Sequence, residues 1–206
     1  MPQPVRAGED YFAVLEAPRR FSQDTKALER RFFEISRALH PDRFTTAPIE
    51  ARQASLERMS LLNDAYRTLK DRAALRDYVL EQAGLSGGMS VKRGGQMPLE
   101  LAESWFELQD AMIEDSEAAA ARIPLFEKEV ADYRVKAMSD IERLEREIDM
   151  ASDAASEAKA PSDSGAVTSV RAAFPMALLQ ELYSKTQTLS YLRSLERDLQ
   201  SKRRAS

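Results

Sequence analysis

Residues 24–45 read DTKALERRFFEISRALHPDRFT, and residues 48–70 read PIEARQASLERMSLLNDAYRTLK. In the first, Leu28, Phe32, Ile35 and Leu39 recur at helical spacing and make one apolar stripe. Ser22 or Asp24 is placed to cap its start. Pro41 ends it, because proline disfavours the helical conformation in the residue before it. In the second, Pro48 suits a first helical turn. Ala51, Met59, Leu62, Ala65, Tyr66 and Leu69 form a second stripe, with Leu56 at its edge. Two amphipathic helices are therefore expected to pack antiparallel across a loop at residues 40–47.

Working outward, Tyr11–Leu15 reads as a short helix closed by Pro18. Asp71 can cap a helix over Arg72–Ala83, and Gly84 fits its C-terminal stop. Residues 10–84 thus describe a small all-α unit of two long helices flanked by two short ones. It is near the lower size limit for a unit that folds alone. Residues 85–97, LSGGMSVKRGGQM, carry no periodicity and read as a linker. Pro98 is expected to start a helix to about Ala121, with Leu101, Trp105, Leu108 and Met112 as its stripe. Pro124 is expected to open another to about Glu157, using Phe126, Val130, Tyr133, Ala137, Ile141, Leu144 and Ile148. Residues 159–168, KAPSDSGAVT, interrupt the pattern. A last helix, from Pro175 to about Lys202, carries Leu178, Leu182, Leu189, Leu192, Leu195 and Leu199. The expected architecture is all-α, with an N-terminal unit over 1–84, a linker over 85–97 and a three-helix bundle over 98–206.

Composition supports this and excludes several functions. Of 206 residues, 43% are hydrophobic and 31% charged, and only seven are glycine, which favours long helices with well-solvated outer faces. A net charge of −4 speaks against nucleic acid held by overall charge. No cysteine is present, so disulfides, zinc thiolates and cysteine-held iron–sulfur clusters are excluded. Residues 1–10 lack the apolar core of a secretory signal, and no apolar run is long enough to span a bilayer. A chain free of nucleic acid and membrane, cytoplasmic if bacterial, is the expectation. There is no GxxxxGK nucleotide loop. The single histidine has no nucleophile or carboxylate at motif spacing, and it rules out a paired Glu-x-x-His metal site. No enzyme, metal or cofactor is expected.

The tripeptide His40-Pro41-Asp42 is the strongest local signal, and its setting gives it meaning. It lies between the two amphipathic helices, is followed by Arg43-Phe44, and precedes Leu62-Asn63-Asp64-Ala65-Tyr66 on the second helix. On the first helix Lys26, Arg30 and Arg37 fall within about 40° of one another, opposite the apolar stripe, and Arg43 extends the charge into the loop. Such a face suits an acidic protein surface, although a merely solvated basic face accounts for the same charges. His40 also has a plain reading, as a donor at a helix C-terminus.

This constellation, over roughly residues 10–75, resembles the J domain of the DnaJ co-chaperones. The resemblance implies that His40, Pro41, Asp42 and Arg43, with Lys26, Arg30 and Arg37, engage a DnaK-class ATPase and promote its hydrolysis. The second half lacks the Gly/Phe-rich and zinc modules of most J proteins. With Phe106-Glu107-Leu108-Gln109-Asp110-Ala111-Met112 and Leu189-Ser190-Tyr191-Leu192-Arg193-Ser194-Leu195, it looks like the HscB family of iron–sulfur-assembly co-chaperones. That resemblance implies an HscA-type chaperone and an IscU-type scaffold as partners. It places Phe106, Glu107, Asp110 and Tyr191 at positions of the family's scaffold-binding patch. Ala102 and Glu103 stand where that patch carries larger apolar residues. Leu99, seven residues before Phe106 and so on the same helix face, or Trp105, which equally suits the bundle core, is expected to compensate. Plain bundle packing is the competing reading for Phe106 and Tyr191. A J protein or helical adaptor with a different client is the alternative function.

Overall fold

The computed structural model describes residues 9–85, 97–114, 116–158 and 173–205. Among the described residues there are seven α-helices and no strand. They are α1 Tyr11–Val14, α2 Thr25–Leu39, α3 Ile49–Lys70, α4 Arg72–Gln82, α5 Leu99–Glu114, α6 Ser116–Ala158 and α7 Met176–Ala205. The expected all-helical class is what the chain adopts. The 85–97 linker is outside the described residues except at its two ends, and the 159–168 interruption lies wholly outside them.

The helix ends follow local chemistry. Asp24, not Ser22, caps α2, accepting from the backbone N–H groups of Lys26 at 2.9 Å and Ala27 at 3.2 Å. Asp71 caps α4, accepting from Ala74 N–H at 2.7 Å. Gly84, at φ +77°, turns the chain out of α4. There Leu85 N–H reaches the Leu80 carbonyl and Gly84 N–H the Glu81 carbonyl, a Schellman closure that wants a residue in the left-handed region.

The chain forms two compact units. The first comprises residues 1–86 with 146–176, the second 87–145 with 177–206. The expected partition placed everything from residue 98 in the bundle, whereas the last part of α6 groups with the first unit. Side chains account for this. Asp149 is buried and accepts from Phe21 N–H at 2.6 Å, Ser22 N–H at 2.8 Å and the Ser22 hydroxyl at 2.6 Å. Arg20 reaches Asp153 at 2.9 Å, and Phe174 packs against Phe12 and Phe21. None of these partners recurs at a period that a reading of residues 146–176 alone reveals.

The core of the first unit holds Phe12, Leu15, Leu62, Leu69, Leu75 and Val79, all fully or almost fully buried. The residues before α1 are pinned by Asp10, which accepts from Phe12 N–H and the Tyr78 hydroxyl at 3.1 Å each and pairs with Arg19. Burial, reinforced by the Asp10 charge, pushes the Tyr78 phenol well above its ordinary range. Leu56, expected at the edge of the α3 stripe, instead faces outward. It lies about 120° from Leu62 on the helix, across from the Ala51/Leu62/Ala65/Leu69 face.

In the second unit Leu101 and Leu108 of α5, Phe126 and Val130 of α6, and Leu192, Leu195 and Leu199 of α7 make one buried cluster. Trp105 packs on it, 5.4 Å from the Phe126 ring. Two expectations are corrected here. Pro124, expected to open a bundle helix, sits inside α6, whose first described residue is Ser116. The run Ala118–Ala121 before it has high helix propensity, enough to carry the helix through a proline whose local cost is roughly 3 kcal/mol. On α7, Leu179 rather than Leu178 is the fully buried position. The two are adjacent in sequence, and one step of about 100° decides which points inward.

Lys185 of α7 lies 2.8 Å from Asp140 of α6. This hydrogen bond holds the Asp140 carboxyl below its usual range, against the opposing effect of partial burial. The pair therefore stabilises the folded chain above the ordinary aspartate range, and its contribution is lost as pH falls through the depressed value. Lys185→Met should lower the unfolding free energy from urea titration at neutral pH by a small amount, about 0.5 kcal/mol for a partly screened pair. The gap between wild type and variant should be smaller at about pH 2, well below the ordinary aspartate value of about 3.9, than at neutral pH. An equal gap at both pH values would contradict this assignment.

Candidate functional site

The loop between α2 and α3 is built by hydrogen bonds from both helices. Residues Pro41–Phe44 form a 3₁₀ turn, where an irregular loop was expected. Pro41 occupies its first turn, where its missing N–H has no intrahelical partner to lose. Arg43 N–H closes the turn on the His40 carbonyl at 3.0 Å. The His40 imidazole caps it, its Nδ1 accepting from Asp42 N–H at 3.3 Å. The Asp42 carboxylate also lies 3.4 Å from Nδ1, so the turn occupies this nitrogen and leaves Nε2 as the ring atom available to a partner. His40 and Asp42 are both exposed, at 52% and 84% of their side chains.

Two side chains, one from α3 and one from the loop, bind carbonyls at the end of α2. The Ser55 hydroxyl donates to the Leu39 carbonyl at 2.6 Å, and the Arg43 guanidinium donates to the Arg37 carbonyl at 3.3 Å. Both satisfy carbonyls that the helix end leaves unpaired, and Arg43 places its charge at the negative end of the helix dipole. Arg43 thus has a positioning role beyond the charge expected of it. Ser55 was not foreseen. Its only sequence signal is a small polar residue in phase with the buried stripe of α3. The helices are antiparallel, because Ser55 near the start of α3 meets the end of α2 while the Phe32 ring stacks on Tyr66 near the end of α3, 4.5 Å between centroids.

On α2, Lys26, Arg30 and Arg37 are all exposed. Their side chains have no acidic partner among the described residues, whereas Arg31, off this face, pairs with Glu16 and Glu34. Phe33, not foreseen as a surface residue, lies among the three cations and is 52% exposed. Its position, about 140° from Leu28 on the wheel, is the signal that two adjacent phenylalanines obscured.

On α5 the expected patch residues Leu99, Phe106, Glu107 and Asp110 are all exposed. Leu99 is 74% and Phe106 67% accessible, so neither is bundle core. Ile113, a further seven residues on, is 83% accessible. Leu99, Phe106 and Ile113 therefore form one outward ridge, with Glu103 and Asp110 beside it on the same face. The heptad spacing from Phe106 was the available signal for Ile113. Glu107 is paired with Arg122 at 2.8 Å. Met112, read as core, is 41% exposed. Tyr191 is half-buried and packs on the cluster containing Leu101 and Leu108, which leave α5 on the side away from the ridge. The packing that surrounds Tyr191 raises its phenol above the ordinary range, with Asp198 adding to it. Sequence reasoning put Phe106 and Tyr191 in one patch; the structure puts Phe106 on the outward face and Tyr191 against the inward cluster.

Among the described residues no cluster of His, Asp and Glu has the arrangement of a metal site, and no helix is long and apolar enough to cross a membrane.

Comparison with known proteins converges on one family. No family model matches the chain. The chain is 37% identical over 79 residues to the co-chaperone protein HscB homolog of Bordetella petrii, which is 38% of this chain and 46% of that protein. It is 35% identical over 81 residues to the homolog of Aromatoleum aromaticum, which is 39% of this chain and 46% of that protein. These two matches span about half the length of the relatives. A longer match, to the HscB homolog of Bordetella avium, is 31% identical over 117 residues and covers 56% of this chain and 69% of that protein. The fold is similar to the crystal structure of human co-chaperone protein HscB, with a TM-score of 0.54 and 20% identity over 98% of this chain and 85% of that one. With the HPD turn, the basic helix before it and a relative matched over more than two thirds of its length, the chain belongs to the HscB co-chaperone family.

Proposed function

We propose that this protein is a co-chaperone with two working surfaces on one chain. Residues 1–84 act as a J domain that binds a DnaK-class (HscA-type) chaperone and promotes its ATP hydrolysis. The helices from residue 98 onward bind an IscU-type iron–sulfur scaffold and bring it to that chaperone. The chain itself turns over no substrate. The observation that carries the reading is the HPD turn: an exposed His40 and Asp42 that follow a helix end bound by Ser55 and Arg43, beside Lys26, Arg30 and Arg37, which have no acidic partner among the described residues.

Linking two binding surfaces raises the local concentration of the client at the chaperone without any new contact. The exposed aromatic and aliphatic residues of α5, rimmed by Glu103, Glu107 and Asp110, have the makeup of a small interface with a central anchor. A different client is the second reading, favoured by Ala102 and Glu103 in place of larger apolar residues.

A scaffold pull-down separates the two. Phe106→Ala should weaken capture by about tenfold or more, as loss of an aromatic anchor does, with the variant's thermal midpoint unchanged. Tyr191→Ala, measured beside it, should also weaken capture. Scaffold binding that survives both substitutions would place the contact elsewhere, and no scaffold binding by the wild-type chain would favour a different client.

A further inference from the structure

We infer that Phe33 is an aromatic anchor of the chaperone-binding face, and that the partner surface it meets is an apolar pocket with an acidic rim. The inference rests on the co-chaperone reading and names the chemistry of one of its two surfaces.

Phe33 is half exposed on a helix whose opposite side supplies core, so packing does not explain it. It is nevertheless held firmly. Its ring meets Phe32 edge to face at 5.5 Å, Phe32 stacks on Tyr66 at 4.5 Å, and the Lys70 ammonium lies over the Tyr66 ring at 5.2 Å. A ring supported in this way loses little conformational freedom on binding, which is what makes aromatic side chains efficient anchors. On the helix wheel Phe33 falls within about 60° of Lys26, Arg30 and Arg37. These cations are left without acidic partners among the described residues, while Arg19, Arg20 and Arg31 of the same unit are paired. Glu29, exposed and about 40° from Phe33 on the wheel, is the one acid on this face, so the rim keeps a positive excess, and an apolar centre in such a rim is complementary to an apolar pocket edged by carboxylates. Charge argues against a second copy of this chain as occupant, because two such faces repel. Arg37 is one turn from His40, which sets this face next to the HPD turn.

The test titrates wild-type chain and variants into a purified HscA-type chaperone and follows ATP hydrolysis. Phe33→Ala should raise the concentration for half-maximal stimulation about tenfold or more, keep the maximum, and leave the salt dependence unchanged. Phe33→Tyr, which preserves ring and stacking, should behave as wild type. Arg30→Ala with Arg37→Ala should also raise the half-maximal concentration, but with a flatter response to salt. Circular dichroism should give the same helical content for all. If wild type stimulates and Phe33→Ala titrates identically, the anchor is wrong and the co-chaperone reading stands. If wild type stimulates at no concentration, both fail. If wild type self-associates and Phe33→Ala abolishes that while stimulation is unchanged, the face serves a second copy and the inference is overturned.

Discussion

His40→Gln is expected to abolish stimulation of the partner ATPase while leaving the fold intact. The side chain is half exposed and contributes no core packing, so the loss of stability should be small. What glutamine cannot reproduce is the rigid ring. In the native turn Nδ1 is committed to Asp42, which fixes the plane of the imidazole and the direction of Nε2. A glutamine amide can accept from the same N–H, but its remaining donors sit elsewhere and on a longer, softer side chain. Stimulating a partner's turnover requires preferential binding of its hydrolysis-competent state. Each tenfold in rate represents about 1.4 kcal/mol of that preference, comparable with one charge-assisted hydrogen bond. Misplacing the donor therefore removes about tenfold of stimulation, and stimulation of that size falls to the basal rate even where some binding persists. Steady-state hydrolysis by the chaperone at saturating variant measures it. Normal stimulation by a folded His40→Gln protein would remove His40 from the mechanism.

Asp149→Ala should produce the largest loss of stability of any substitution considered. The carboxylate is buried and receives three hydrogen bonds, two of them from the backbone of Phe21 and Ser22. Alanine removes the partner of both N–H groups, that of Phe21 in a buried site and that of Ser22 at its partly open edge. Each such orphan costs about 1–3 kcal/mol, so about 3 kcal/mol is expected for the change. For a chain of this size that is a drop of roughly 6–12 °C in thermal midpoint. Asp149→Asn retains the shape and should recover only part of the loss, because one of its two polar atoms presents a donor where an acceptor is needed. Differential scanning calorimetry of the three proteins decides. A midpoint for Asp149→Ala within a degree of wild type would mean that these contacts are not what binds the end of α6 to the first unit.

The two predictions show where sequence was sufficient and where it was not. Local rules marked the α2 stripe, the Asp71 cap, the Gly84 stop and the HPD turn, because each depends on neighbours within a few residues. The Asp149 clamp joins residues 127 and 128 positions apart, and no periodicity announces it. Pro124 misled for the opposite reason: a strong local signal was overridden by the helix formers around it. On the surfaces, charge and heptad spacing located Lys26, Arg30, Arg37, Leu99 and Phe106 on exposed faces. Phe33 and Ile113 were passed over, since an apolar residue in a helix is ordinarily read as core. Tyr191, for which patch and packing were both open, is half-buried on the bundle cluster, a tertiary fact that its spacing does not announce.

The most direct test of the two-surface account is steady-state ATP hydrolysis by a purified HscA-type chaperone, with and without this protein and with and without an IscU-type scaffold. The account predicts stimulation by the chain alone and a further rise when the scaffold is added, because the chain then delivers a client to the enzyme it activates. No stimulation of any DnaK-class chaperone, with or without scaffold, would contradict it.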